Sequence, residues 1–217
     1  MKNGYRILTV LMLVILVVTC ILLVLSPDTV PVHYNLAGKI DRMGSKYEYL
    51  IFPVLAIPVG GFFGWMAKRY RQTPADEKAL VISGICVLSV MGFLGIYFQT
   101  AAILYDPMAG GGLQLNVMRL TVMAIGAMLM ILGNFMPKAR RNSFYGLRTG
   151  WSLSSDEVWQ KSQRFAGHTS VLCGVIMVLL AAFLDGFHCL IMSTVLVLLW
   201  MIASVVMSYR YYRESKK

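Results

Sequence analysis

The chain has 217 residues, of which 58% are hydrophobic and only 14% charged, and its formal net charge is +10. An ordinary globular protein carries about 25% charged residues. Here the apolar residues gather in blocks of roughly 16 to 26, the length a helix needs to cross a hydrocarbon core. That excludes a soluble globular protein, and no stretch between the blocks is long enough to bury a core of its own.

The first block, Ile7–Leu25, follows Lys2 and Arg6. A basic start and an apolar run also describe a signal peptide. This run is long for one, and Ser26–Pro27–Asp28 follows without an Ala-x-Ala-like site, so a retained first span is expected. Residues 26–49 come next. Pro27 and Pro31 disfavour helix, while Thr29 to Tyr34 alternates in the manner of a strand. Asn35, Gly38 and Gly44 are turn formers. The segment reads as a small ordered cap. His33, Asp41 and Glu48 lack the spacing of metal ligands, so no metal, cofactor or catalytic role is assigned to them.

Five further spans follow: Leu50–Met66, Ala79–Leu104, Leu115–Phe135, His168–Leu184 and Phe187–Ser208. The last two form a tight hairpin over Asp185–Gly186. Pro58 falls mid-span and predicts a kink. Gly60 and Gly64 share a helix face, which suits close packing inside the bundle or a dimer seam. The connection Tyr105–Gln114, with its three consecutive glycines, reads as a flexible loop. Arg119 is the one cation inside a span, placed to snorkel or to pair with Asp106 or Asp185. The four cysteines have no C-x-x-C spacing and read as small buried hydrophobes, with a Cys20–Cys189 bridge left open.

Sixteen of the twenty Lys and Arg residues fall on the side of the termini; Lys39, Arg42 and Lys46 fall on the other. Such a split predicts cytoplasmic termini and an exterior cap. It also assigns the net charge to topology and anionic lipid. The cations are scattered over four segments, which argues against direct nucleic-acid binding.

Residues 142–167, NSFYGLRTGWSLSSDEVWQKSQRFAG, interrupt the apolar sequence. Pro137 stops the fourth span. Ser154 with Glu157 reads as a capping box, with Leu153 and Val158 as its hydrophobic staple. A helix to about Ala166 would put Val158, Trp159, Ser162, Phe165 and Ala166 on one face. Glu157, Lys161, Arg164 and His168 would lie on the other, with Glu157–Lys161 a favourable pair. Such a basic amphipathic helix is expected to lie in the interface plane, with Trp151 anchoring at the same depth. The surrounding loop, with Asn142, Gly146, Arg148, Trp151 and Ser152, carries more specific chemistry than a connector needs and suits docking of a soluble partner.

Two stretches resemble the SdpI family of bacterial membrane immunity proteins. PVHYNLAGKIDRMGSK (31–46) is similar to the family's P-x-H-F-N-x-x-G-x-x-D-x-x-G-S-K pattern at Pro31, His33, Asn35, Gly38, Asp41, Gly44, Ser45 and Lys46. Residues 133–167 resemble its second pattern at Gly133, Asn134, Met136, Pro137, Lys138, Asn142, Gly146, Arg148, Thr149, Trp151, Trp159, Lys161 and Arg164. Tyr34 and Met43 depart from the first pattern, and Gly150 and Ser152 from the second. The resemblance implies protection against a secreted peptide toxin. For the characterised type it also implies a receptor role, in which a small DNA-binding autorepressor is held at the membrane.

The expectation is therefore an all-α polytopic protein of the bacterial plasma membrane. It is a six-helix bundle in three parts: residues 1–135 (four spans with the exterior loop 26–49), 136–167 (the cytoplasmic loop with its amphipathic helix) and 168–217 (a span hairpin and basic tail). It is expected not to be an enzyme. His33, Asn35, Gly38, Asp41 and Lys46 are the toxin-facing candidates. Asn134, Asn142, Arg148, Trp151, Trp159 and Arg164 are the candidates for a cytoplasmic repressor. A small exporter of a peptide or lipid is the alternative.

Overall fold

Long apolar runs leave backbone amides in lipid no partner but one another, and helices are the form that satisfies them within one segment. A computed structural model describes residues 2–35, 39–105 and 116–216. The elements in order are α1 (Lys2–Leu25), β1 (Thr29–Tyr34), β2 (Ile40–Ser45), a 3₁₀ turn (Lys46–Leu50), α2 (Ile51–Arg69), α3 (Pro74–Ile103), α4 (Val117–Phe135), a second 3₁₀ turn (Met136–Lys138), α5 (Asp156–Phe183) and α6 (Gly186–Glu214). Six of the described helices are long and apolar enough to cross a membrane, and the protein is a multi-pass membrane protein.

The helices sort into two groups of three. Leu8 and Ile15 of α1, Ala56 and Ala67 of α2, and Leu80, Val81 and Leu88 of α3 form one core. Val122 of α4, Cys173, Met177 and Ala181 of α5, and Cys189 of α6 form another. One end of the bundle carries the β-hairpin. The other carries both termini, the α2–α3 turn and the α4–α5 connection, and is called the basic face below. Tyr5 at the start of α1 donates to Glu77 at the start of α3 (2.9 Å), and Ser208 near the end of α6 meets Thr149 (2.8 Å), which gathers these segments together.

Within the second group α4 and α5 approach most closely. A Cβ on Gly126 would lie 2.9 Å from the carbonyl oxygen of Gly174, and one on Gly133 would lie 2.7 Å from that of Gly167. The two pairs are seven residues apart on antiparallel helices, so they recur on the same faces. Between them Ser170 donates to the Leu129 carbonyl (3.0 Å). Small residues that admit backbone contact are the usual means of helix association in lipid. Gly60 does pack inward, against Met12 and Leu88, but nothing lies within 4 Å of a Cβ on Gly64. The two glycines therefore do not form one packed seam.

Four expectations are revised. The segment expected to lie flat as a separate helix is the first three turns of α5, which runs unbroken from Asp156 to Phe183. Nothing between Ala166 and His168 stops it, because Gly167 is held against Gly133 rather than released to end a helix. The N-cap is Ser155, whose hydroxyl accepts from Val158 N–H (3.2 Å), while Ser154 donates to the Trp151 carbonyl; there is no capping box with Glu157. Gly44 lies in β2 opposite Val30 and not in a turn. All four cysteines are free, as their spacing suggested, but only Cys173 and Cys189 are buried, and Cys20 is exposed.

Arg119 donates through Nε to the Leu184 carbonyl at the end of α5 (2.5 Å), where a cation complements the helix dipole. Asp185 instead caps α6 and bonds His188. Asp106 and the rest of the loop 106–115 lie outside the described residues.

The glycine contacts give a direct test. Replacing Gly133 or Gly174 with Val should lower the thermal midpoint of the purified protein in detergent, with a cost of about 1–3 kcal/mol for overpacking. Gly64→Val should change stability by less than about 0.5 kcal/mol. Equal effects at the three positions would refute the assignment.

Candidate functional site

The hairpin sits on the ends of the first helix group opposite the basic face. Val30 is fully buried with Leu23, Tyr49 and Ala102 around it. Tyr49 Oη donates to the Pro31 carbonyl, and Tyr34 and Phe52 both pack on Phe98 at ring separations of 5.9 and 6.2 Å. Lys46 ties the hairpin to the end of α1 through Asp28 Oδ1 (3.0 Å) and the Ser26 carbonyl (3.3 Å).

The register of β1 on β2 slips twice, between Pro31 and His33 and again between His33 and Tyr34. Val32 in β1 and Asp41 in β2 are the unmatched residues, and bulges of this kind re-aim side chains. Here they leave His33 Nδ1 2.6 Å from Asp41 Oδ1, both side chains substantially exposed. Arg42 and Glu48 make a two-point pair beside them (2.8 and 3.2 Å), and the guanidinium holds the Glu48 carboxyl below its ordinary range. Asn35 closes the turn, accepting at Oδ1 from the Lys39 N–H (3.0 Å). The hairpin thus brings His33, Asn35 and Asp41 to one rim, with Lys46 anchoring it below. Gly38 lies outside the described residues.

On the basic face, residues 139–155 form an ordered loop held almost wholly by side chain to backbone bonds. Asn142 is buried and fully used. Its amide donates to the carbonyls of Arg140 (3.0 Å) and Tyr145 (3.1 Å), and its oxygen accepts from Phe144 N (2.9 Å) and Tyr145 N (2.7 Å). Gly146 follows at φ +98°, a left-handed conformation that suits glycine. Gln163 of α5 fills the space beside it, accepting from Leu147 N–H (2.9 Å) and donating to the Leu147 carbonyl (2.8 Å). Thr149 and Ser152 bond each other three times, and Thr149 reaches Ser208 on α6. Trp159 is fully buried and donates through Nε1 to the Ala139 carbonyl (2.8 Å). Tyr145 donates to the Leu132 carbonyl, and burial pushes its phenol pKa up.

The loop also grips the first helix group. Asp76 in the first turn of α3 accepts from Ser143 N–H (2.6 Å), and Phe144 packs edge-on against Tyr70 (4.8 Å). Asp76 and Glu77 are buried at a helix N-terminus, where carboxylates are favoured.

The six residues expected to meet a partner therefore divide. Asn142 and Trp159 are interior framework. Asn134, Arg148 and Arg164 are exposed, and Arg148 and Arg164 have no hydrogen bond or ion pair among the described residues. Trp151 is 37% exposed and leans on Tyr209 (5.0 Å). Lys161 is exposed and paired with Glu157 (2.7 Å), as its spacing predicts. Asp76, Gln163, Tyr145 and Ser208 are organising residues that the sequence reading missed. Gln163 had one signal: a polar residue on the helix face shared by Trp159 and Ala166.

Among the described residues no group of three or more His, Cys, Asp or Glu is placed to hold a metal ion.

Residues 138–209 match the SdpI/YfhL protein family, and residues 10–57 match a domain of unknown function, DUF1648. The first match covers the basic-face loop with α5 and most of α6; the second covers most of α1, the hairpin and the start of α2. The chain is 26% identical over 188 residues to the immunity protein SdpI of Bacillus subtilis (strain 168), across 87% of this chain and 86% of that protein. No solved structure matches. The resemblance read from the two polar stretches thus extends through nearly the whole sequence, and the chain is similar to the SdpI family along 87% of its length.

Proposed function

We propose that this protein is an immunity protein of a bacterial plasma membrane, protecting the cell that makes it from a secreted peptide toxin. The observation that carries the reading is the end-to-end similarity to a protein named for immunity. The charge distribution supports an orientation: the hairpin exterior, the basic face with sixteen of twenty cations cytoplasmic. The exterior rim of His33, Asn35 and Asp41, with Lys46 as its anchor, is the surface that engages or excludes the peptide, and Gly38 is a candidate beside it in the sequence. The hairpin is buried on one side and polar on the other, which suits a fixed contact surface better than a tether.

The basic face has the chemistry for a second role, as a receptor that holds a cytoplasmic DNA-binding repressor. Arg148, Trp151 and Arg164, with Asn134 at the membrane edge, form its contact set. Exposed Arg and Trp are the residue types that dominate protein interfaces. Asn142 and Trp159 hold the loop that presents them.

Expression in a toxin-sensitive bacterium should preserve survival and membrane potential on exposure to the toxin, and no protection would refute the reading. Measurable flux of the peptide in proteoliposomes would favour an exporter instead. Orientation is checked in a background without the native cysteines: an impermeant thiol reagent applied to intact cells should label Lys39→Cys and spare Arg148→Cys. Modification in the reverse pattern would overturn the topology.

Arg148→Ala and Trp151→Ala should impair induction of a repressor-controlled reporter more than they impair protection. Trp159→Ala should behave differently. It removes a fully buried side chain at a cost of about 3–5 kcal/mol, so it should lower the thermal midpoint and reduce both activities together. Loss of protection first in the Arg148 variant, at normal expression, would defeat the division of roles.

A further inference from the structure

The two strands of the hairpin are held very differently. Val30 and Pro31 of β1 are buried, and Tyr34 packs on Phe98. In β2 Asp41, Arg42 and Met43 are exposed, and the strand hangs on its ladder with β1. That ladder is interrupted where the rim lies: the matched pair His33–Arg42 has a register slip on each side of it. A bulge leaves its extra residue unpaired and disrupts the ladder locally. One matched pair between two slips does little to fix Asp41 against His33.

A side chain supplies the hold that the ladder lacks. Ser45 and Glu48 form a capping box at the start of the 3₁₀ turn. The Ser45 hydroxyl accepts from Tyr47 N–H (3.4 Å), and the Ser45 N–H donates back to the Glu48 carboxylate. On its other side Glu48 takes both arms of Arg42, Nη1 donating to Oε1 (3.2 Å) and Nη2 to Oε2 (2.8 Å). Such a forked pair fixes direction as well as distance. Gly44 makes room for it: a Cβ there would run into Glu48 Oε1 and would lie 2.8 Å from Val32 Cγ2. This accounts for a glycine inside a strand at a position without left-handed backbone. Glu48 has a fixed base, because its neighbour Tyr49 is buried and bonded to the Pro31 carbonyl, and the turn leads straight into α2.

We propose that Glu48 is the positioning residue of the exterior rim: by clasping Arg42 across Gly44 it holds β2 in place, and with it Asp41 against His33. It acts through Arg42 and is not itself in the contact set. The role in protection rests on the immunity reading; the clasp does not.

The test uses the full-length protein. In detergent, Glu48→Ala should speed amide hydrogen exchange across residues 40–46 about fivefold, the factor expected when an exposed two-point ion pair and a helix cap are lost together. Exchange within the helices should stay as it was. Gly44→Ala should act in the same direction by pushing Glu48 aside, although it removes no polar group. Arg42→Glu combined with Glu48→Arg should bring exchange most of the way back, whereas each alone should not, a rescue that lost packing would not show. In cells challenged with a synthetic copy of the peptide that the wild-type protein resists, Glu48→Ala should lower the concentration survived by a similar factor, and the charge-reversed pair should restore it. If Glu48→Ala expresses poorly, Glu48→Gln, which keeps the shape without the charge, carries the same comparison. Unchanged exchange in the Glu48 variant would overturn the clasp. Faster exchange with full resistance would overturn the positioning role. A wild-type protein that confers no resistance refutes the immunity reading and the role with it, while exchange still decides the clasp.

Discussion

In a hydrocarbon solvent a helix gains little by turning leucine toward a neighbour, because lipid is as apolar as the neighbour. What joins α4 to α5 is backbone lying on backbone at Gly126–Gly174 and Gly133–Gly167. The contact at Gly167 has a consequence beyond the membrane. It fixes α5 as it leaves the lipid, so the three turns before it stand up from the bundle. They carry Val158, Trp159, Gln163 and Ala166 inward to where the loop needs them. A helix ending at Gly167 would have left Trp159 at the headgroups and the Ala139 and Leu147 backbone groups without their partners.

The basic-face loop is then a problem in polar satisfaction. Residues 139–155 have little regular structure, yet Asn142, Tyr145 and Ser152 are buried. Buried backbone groups without partners are costly. Asn142, Gln163, Ser152 and Asp76 supply those partners, each bonding main-chain atoms of the loop. Such a network fixes a single conformation only when every member is present. The exposed residues Arg148 and Trp151 inherit their positions from it.

The broad architecture was legible because its signals are long and redundant. Each span is an apolar run of many residues, and β1 announces itself by alternation between prolines. Failures occurred where a single residue decides between two local answers. Ser154 and Ser155 are adjacent and equally suited to cap a helix; what separates them is that Ser154 is taken by the Trp151 carbonyl. The helix expected to stop near Ala166 is followed by Gly167, and a glycine reads the same in sequence whether it ends a helix or admits a neighbour. Gly60–Gly64 offered the familiar four-residue spacing, whereas the packed glycines of α4 and α5 are seven apart and on separate helices. No single-segment pattern exposes them. The partner roles assigned to Asn142 and Trp159 followed from matching residues, which marks a position as constrained without saying whether packing or contact constrains it.

The two polar ends of the molecule are joined by the first helix group. The hairpin rests on Leu23, Phe52, Phe98 and Ala102, at the ends of α1, α2 and α3 away from the basic face. At the opposite end the same group touches the basic-face loop, α2 through Tyr70 against Phe144 and α3 through Asp76 to Ser143. Each of these two helices is continuous between its contacts. The same two helices thus bear the hairpin at one end and meet the loop beside Asn142 at the other. The second group, joined to the first mainly on that face, is held to its own loop by Thr149–Ser208 and Trp159–Ala139. The contacts that join the two groups at the basic face, Asp76 with Ser143 and Tyr70 with Phe144, therefore set how the loop of the second group sits on the first.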